Sequence, residues 1–167
     1  MAEATHQVLF VCTGNICRSP MAEAILRHRL GNRPGWRVKS AGVAALTGVP
    51  ASAEALVALR EWQIDVRQHR SQPLTQKLVE ESDWIIVMTR GHAQAVLSMF
   101  PEARDRVRLL TEFGTDRRME DIPDPIGMSL DVYRFTRDRI DRAIADVLLT
   151  ILEDTKQLKR KTESEEQ

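Results

Sequence analysis

Cysteine is scarce in this chain: there are two in 167 residues, both between Val11 and Pro20. Two thiols sharing one short loop make no structural disulfide framework, and their use fits a reducing compartment, so the expected location is cytoplasmic. Charge of one sign is missing too. Twenty-four basic residues balance twenty-four acidic ones, which leaves no basic surplus for nucleic acid and no acidic tail for a basic partner. No apolar run approaches the ~18 residues that cross a bilayer, and no signal-peptide h-region opens the sequence, so no membrane partner is expected. Four histidines and a cysteine pair with four residues between them match no zinc spacing, which excludes a metal site of the usual kinds. The Gly-Lys-Ser/Thr ending of a nucleotide loop and a Cys-x-x-Cys redox pair are likewise absent, and no cofactor is implied.

What is present is concentrated in Val11-Cys12-Thr13-Gly14-Asn15-Ile16-Cys17-Arg18-Ser19-Pro20. The preceding Val8-Leu9-Phe10-Val11 is a continuous apolar run of the kind buried in a parallel sheet, and Met21 to Leu26 are strong helix formers. The loop therefore predicts a strand-to-helix turn, with Ser19 as N-cap and Pro20 at the first helical position. Unpaired amides over residues 13 to 18 and the helix dipole would then form a cradle for an oxyanion, built from Thr13, Gly14, Asn15, Ile16, Cys17, Arg18 and Ser19. Cys12 in such a cradle has the surroundings that favour a thiolate, a nucleophile at neutral pH. Arg18 supplies a planar guanidinium able to hold two phosphoryl oxygens at once, and Ser19 a hydroxyl for the sulfur. The layout is that of a cysteine phosphatase.

Farther along, Asp121-Ile122-Pro123-Asp124-Pro125 offers a carboxyl group for general acid and base work, with the flanking prolines stiffening its loop. Facing a phosphate dianion and a thiolate, such a carboxyl group is pushed toward its protonated form. Asp121 is the competitor for the role.

The stretch Val8 to Leu26 resembles the signature of the low-molecular-weight protein-tyrosine-phosphatase family, whose loop reads Cys-x-x-Asn-x-Cys-Arg-Ser, and the likeness spans nearly the whole chain. It implies an α/β fold with a four-stranded parallel sheet in order 2-1-3-4, flanked by helices, with the phosphate loop after strand 1. It also implies Asp124 as general acid, a supporting network of Asn15, Ser19, Ser40 and His69, and Cys17 as a resolving thiol for an oxidised Cys12. By matching position, Leu46 and Ile126 stand where the better-known members place aromatic cleft walls. The implied substrate is a phosphorylated protein or peptide, with inorganic phosphate or a similar oxyanion as inhibitor. Two substrate readings stay open. Phosphotyrosine is one; phosphoarginine is the other, since Gly127 to Tyr133 looks like the bacterial branch that includes protein-arginine phosphatases, although those members carry threonine where this chain has Ile16. An arsenate reductase would need resolving cysteines after Cys17, and a silent phosphate-binding module would lack Cys12 or Asp124.

Length predicts one domain over residues 1–155, followed by a charged, flexible tail over 156–167. Strands are expected at Gln7 to Cys12, Trp36 to Ala41, Trp84 to Met88 and Arg106 to Leu110. Helices are expected from Glu54 to Trp62 behind Ser52, from Gln76 to Glu81 behind Thr75, near His92 to Phe100, and from about Ser129. Ile140, Ile144, Val147, Leu148, Ile151 and Leu152 of that last helix form one buried stripe.

Overall fold

The computed structural model describes residues 6–114 and 119–166; residues 1–5 and 167, at the two ends of the expected domain and tail, lie outside the described residues, as do 115–118. Strand β1 (His6–Cys12) runs through the middle of the molecule, and Val8, Leu9, Phe10 and Val11 are wholly inaccessible. A strand covered on both faces needs apolar side chains in both directions, which is why this run does not alternate. Beside it lie β2 (Trp36–Gly42), β3 (Trp84–Val87) and β4 (Val107–Leu109), all parallel, in the expected order β2-β1-β3-β4. Strand β4 is shorter than the sequence suggests, because 3-10 turns at Pro101–Arg106 and Leu110–Glu112 take up its two ends.

Among the described residues five α-helices cover the sheet: α1 (Arg18–Leu30), α2 (Ala53–Arg60), α3 (Gln76–Glu81), α4 (Arg90–Met99) and α5 (Leu130–Glu165). The two faces of β1 feed separate cores. Val8 and Phe10 pack with residues of α1, α2 and α5, whereas Leu9 and Val11 pack with Leu78, Val79 and Val96 of α3 and α4. Ile140, Ile144, Val147 and Ile151 of the predicted stripe are buried, with Leu148 and Leu152 packed at its edge. Beyond residue 155 the chain continues as helix to Glu165 with exposed side chains, since its lysines, glutamates and leucine are good helix formers.

Thr75, Thr89 and Ser129 cap α3, α4 and α5 by accepting from the backbone N–H of Leu78, His92 and Val132. Ser19 does not cap α1. The helix starts earlier, at Arg18, so Pro20 stands third in it, and the Ser19 hydroxyl turns into the site instead. Ser52 precedes α2 as expected, but its hydroxyl also serves a cysteine and makes no cap bond.

In the sheet Cys12 aligns with Gly42 of β2, and Val11 with Val87 of β3. The first cysteine thus stands at the carboxyl edge between β1 and β3, where the strand order switches direction and open α/β sheets form their crevices.

Candidate active site

Residues 13 to 17 turn the chain from β1 into α1, and neighbouring backbone presses against them. Val43 and Ala44 donate N–H bonds to the carbonyls of Cys12 and Thr13. A Cβ at Gly42 would stand 2.4 Å from the Thr13 carbonyl oxygen, so only glycine allows this approach. Asn15 sits at the tip with φ +56°, a conformation that costs most L-residues about 1–2 kcal/mol.

Its side chain secures that turn. Nδ2 donates to Ser19 Oγ at 2.8 Å and Ser40 Oγ at 2.9 Å, and Oδ1 accepts from the Gln72 N–H at 3.0 Å. His69 Nε2 stands 2.7 Å from the Asn15 carbonyl oxygen, and the Ser40 hydroxyl donates to Glu23 Oε1 at 2.8 Å. The four residues of the implied network therefore meet around one loop. Glu23 and Gln72 belong to it as well.

Ser19 Oγ lies 2.9 Å from Cys12 Sγ. Because the Asn15 amide can only donate to that hydroxyl, the Ser19 proton is free to point at the sulfur, which is the direction that stabilises a thiolate. Cys17 is held otherwise. Its sulfur lies 3.1 Å from the hydroxyl of fully buried Tyr133 and 3.5 Å from Ser52 Oγ, and burial pushes its thiol pKa up. The two thiols of one loop thus have different surroundings: one meets a hydroxyl at the crevice, the other is sealed into the α5 side of the core.

Arg18 is 3% exposed and opens α1. Its Nη1 donates to the Ile122 carbonyl at 2.9 Å, and its Nη2 stands 3.4 Å from Thr13 Oγ1 and 3.5 Å from Asp124 Oδ2. Nε is buried without a partner among the described residues. A guanidinium fixed at one end with an unused donor is ready to receive an anion. The first N–H groups of α1, which have no carbonyl in their own helix, add to the same field.

Asp124 is partly exposed and accepts the Ile126 N–H through Oδ1. Asp121, its rival, instead accepts the Arg90 N–H at the start of α4 at 2.9 Å. That carboxylate serves a helix end, while Asp124 reaches the arginine. Leu46 and Ile126 are 75% and 50% exposed, and Ile16 lies half-buried against the α1 side of the core. The described residues contain no cluster of three or more histidine, cysteine or acidic side chains arranged for a metal.

Sequence reasoning missed His92. It is 5% exposed, its Nε2 stands 2.8 Å from Thr13 Oγ1, and Nδ1 has no partner among the described residues. Burial, with the Arg18 charge second, lowers its pKa to about 4, while Asp121 and Asp124 pull weakly the other way. Tyr133 and Ser52 around Cys17 were missed too; a serine and a tyrosine in otherwise ordinary helix contexts gave no local signal.

A buried nucleophile with a hydroxyl donor, a fixed guanidinium and a carboxyl group at its edge can carry out phosphoryl transfer through the sulfur. Comparison with known proteins gives the same picture. The profile described as low molecular weight phosphotyrosine protein phosphatase matches residues 7–164. The chain is 43% identical to a protein-arginine-phosphatase of Geobacillus stearothermophilus over 83% of its own length and 91% of that protein. It is 37% identical to the low molecular weight protein-tyrosine-phosphatase Etp of Escherichia coli over 83% of its length and 89% of that protein. Among solved structures, the YwlE arginine phosphatase of Geobacillus stearothermophilus superposes with a TM-score of 0.83 at 39% identity, over 92% of this chain and 96% of that one. Wzb of Vibrio vulnificus in complex with benzylphosphonate gives 0.77 at 38% identity, over 84% and 95%.

Proposed function

The chain belongs to the low molecular weight phosphotyrosine protein phosphatase family and is a cysteine-dependent phosphomonoesterase, and from that premise we propose that it hydrolyses phosphotyrosine in proteins with Cys12 as nucleophile. The observation that carries the residue assignment is the convergence of Ser19 on Cys12 and of Arg18 on Asp124 at one strand end. In the first step the Cys12 thiolate bonds to phosphorus, the phosphorus–oxygen bond to the phenol breaks, and Asp124 gives the departing oxygen its proton. Arg18 and the amides of residues 13 to 18 hold the equatorial oxygens throughout. In the second step water attacks phosphorus, Asp124 takes its proton, the sulfur–phosphorus bond breaks, and inorganic phosphate leaves. The Ser19 hydroxyl supports the sulfur as leaving group. Inorganic phosphate and vanadate compete for the same cradle.

Protein phosphoarginine is the second reading, favoured by the names of the Geobacillus stearothermophilus relatives. Ile16 supports phosphotyrosine instead, because its aliphatic side chain offers apolar contact to a ring and no hydrogen bond to a guanidino nitrogen. The deciding experiment is kcat/KM for matched phosphotyrosine and phosphoarginine peptides. A preference for phosphotyrosine is expected; a higher value for phosphoarginine overturns this substrate assignment and leaves the phosphatase mechanism standing.

The reading also includes a redox role and a reducing, cytoplasmic setting. Peroxide would convert the Cys12 thiolate to a sulfenic acid, and the Cys17 thiol would then displace hydroxide to form a disulfide that dithiothreitol reduces. Recovery of activity after peroxide and dithiothreitol should be lower in Cys17→Ser than in wild type, and equal recovery would remove the role.

A further inference from the structure

Opposite Cys17, on the β3 side of the loop, His92 reaches the residue that follows the nucleophile and takes no part in the mechanism above. Its ring is in the first turn of α4, buried, with Nε2 2.8 Å from Thr13 Oγ1 and Nδ1 unpartnered among the described residues. The position of its proton follows from the cost of the alternatives. A proton on Nδ1 would leave a buried N–H with nothing to donate to, whereas a proton on Nε2 leaves only an unused lone pair, and buried orphan donors are the rarer and costlier case. The ring, neutral at pH 7 with a pKa held near 4, therefore donates Nε2–H to Thr13.

Arg18 Nη2, which can only donate, stands 3.4 Å from the same oxygen. Thr13 Oγ1 thus faces two donors, and its own proton is left to point elsewhere. Thr13 is exposed, and the guanidinium nitrogen it shares also meets Asp124 Oδ2 at 3.5 Å. The hydroxyl thus stands at the exposed rim of the cradle, beside the guanidinium assigned to the phosphoryl oxygens.

We propose that His92 is a positioning residue: by donating to Thr13 Oγ1 it holds the Thr13 hydroxyl as a donor toward the oxygens of the bound phosphoryl ester, beside Arg18. This rests on the phosphatase reading of Cys12 and Arg18. It goes beyond that reading by giving α4 a part in the chemistry, and by making Thr13 a side-chain contact to substrate where the cradle otherwise uses its backbone.

His92→Leu fills the space without a donor, whereas His92→Gln returns an amide N–H close to the position of Nε2. Thr13→Val removes the hydroxyl at an exposed position. Each variant, and the His92→Leu/Thr13→Val pair, is assayed for kcat and KM on a phosphotyrosine peptide and for vanadate inhibition, with circular dichroism to confirm folding. His92→Leu and Thr13→Val should each lower kcat/KM about 10-fold, the value of one lost hydrogen bond. His92→Gln should recover most of that loss, and the double variant should be no worse than the poorer single one. Wild-type kcat/KM in Thr13→Val overturns the proposal, and so does a double variant whose loss is the product of the two single losses. A His92→Leu that does not fold leaves the glutamine and valine variants to decide: with the glutamine variant as impaired as the valine one, the donor role is wrong. Cys12→Ser is measured alongside. Turnover surviving in it would bring down the phosphatase reading itself, an outcome distinct from any result at His92 or Thr13.

Discussion

The two loops that meet at Arg18 are built in opposite ways. In the phosphate loop Cys12, Asn15, Cys17, Arg18 and Ser19 are each 3% exposed or less, and the side chain of each has a hydrogen-bond partner in the loop itself, β2, α5 or the Asp-Pro segment. In the Asp-Pro segment Asp124, Ile126 and Met128 are exposed, and Gly127 takes a φ of +75°. Only Ile122 and Pro125 of that segment are buried, with the Ile122 N–H on the Met88 carbonyl and its own carbonyl on Arg18. The difference separates two jobs. Groups that would meet a pentavalent phosphorus have no freedom to lose, whereas the proposed acid Asp124 and the candidate wall Ile126 stand on a loop pinned at its base and open at its tip. Electrostatic stabilisation of a transition state works through donors fixed beforehand, and the buried loop supplies them.

The sharpest way to break this contrast lies in the open loop, where one side chain is assigned to chemistry. Asp124→Ala should slow hydrolysis of an ester with a poor leaving group by ~10²–10⁴, and far less for p-nitrophenyl phosphate, whose phenol needs little protonation. Asp121→Ala should leave that leaving-group dependence unchanged and cost about 1 kcal/mol of stability, because its carboxylate meets the Arg90 N–H at a helix end. A leaving-group series that responds to Asp121 in place of Asp124 reverses the assignment.

Next in size is the rigid loop. Asn15→Ala removes three side-chain hydrogen bonds and leaves Ala in a left-handed turn, for a loss of about 3 kcal/mol in urea unfolding together with weaker phosphate binding. Unchanged phosphate affinity would mean that the cradle keeps its shape without this network.

A third prediction concerns pH. The folded His92 pKa lies near 4, below the ordinary 6.5, so between those values the unfolded chain takes up a proton that the folded one refuses. Stability should therefore fall as pH drops through this window, by up to about 3 kcal/mol from this one residue. His92→Gln should flatten that part of the profile in urea melts at several pH values; an unaltered slope would show that the ring titrates normally.

Smallest are the walls. Leu46→Ala and Ile126→Ala should change KM for a phosphotyrosine peptide a few-fold and leave the melting temperature unchanged, because both side chains are largely in solvent. A collapse in kcat in Ile126→Ala would erase the distinction between the two loops.

Much of this was legible in the sequence because it is local. A continuous apolar run, a glycine-asparagine turn and a helix-forming segment mark strand, loop and helix in order, and Thr75 and Ser129 lie where helix starts require them, whereas the Thr89 cap, ahead of the expected start of α4 near His92, was missed. What stayed hidden depends on distant chain. His92 meets Thr13 across 79 residues and Tyr133 meets Cys17 across 116, and no spacing rule connects such pairs. Ser19 was misread as a cap for a related reason. A serine before proline is a good helix start, and only the folded arrangement, with Asn15 donating to its oxygen and Cys12 beside it, shows the hydroxyl engaged elsewhere.

The claim on which all of this depends is that the phosphoryl group passes through the Cys12 sulfur. Wild-type enzyme turning over a phosphotyrosine peptide is acid-quenched, digested and searched by mass spectrometry for the phosphorylated residue. The account predicts phosphocysteine at Cys12, lost in Cys12→Ser together with turnover while vanadate still binds. A phosphoryl group trapped on any other residue, or full turnover in Cys12→Ser, would contradict it.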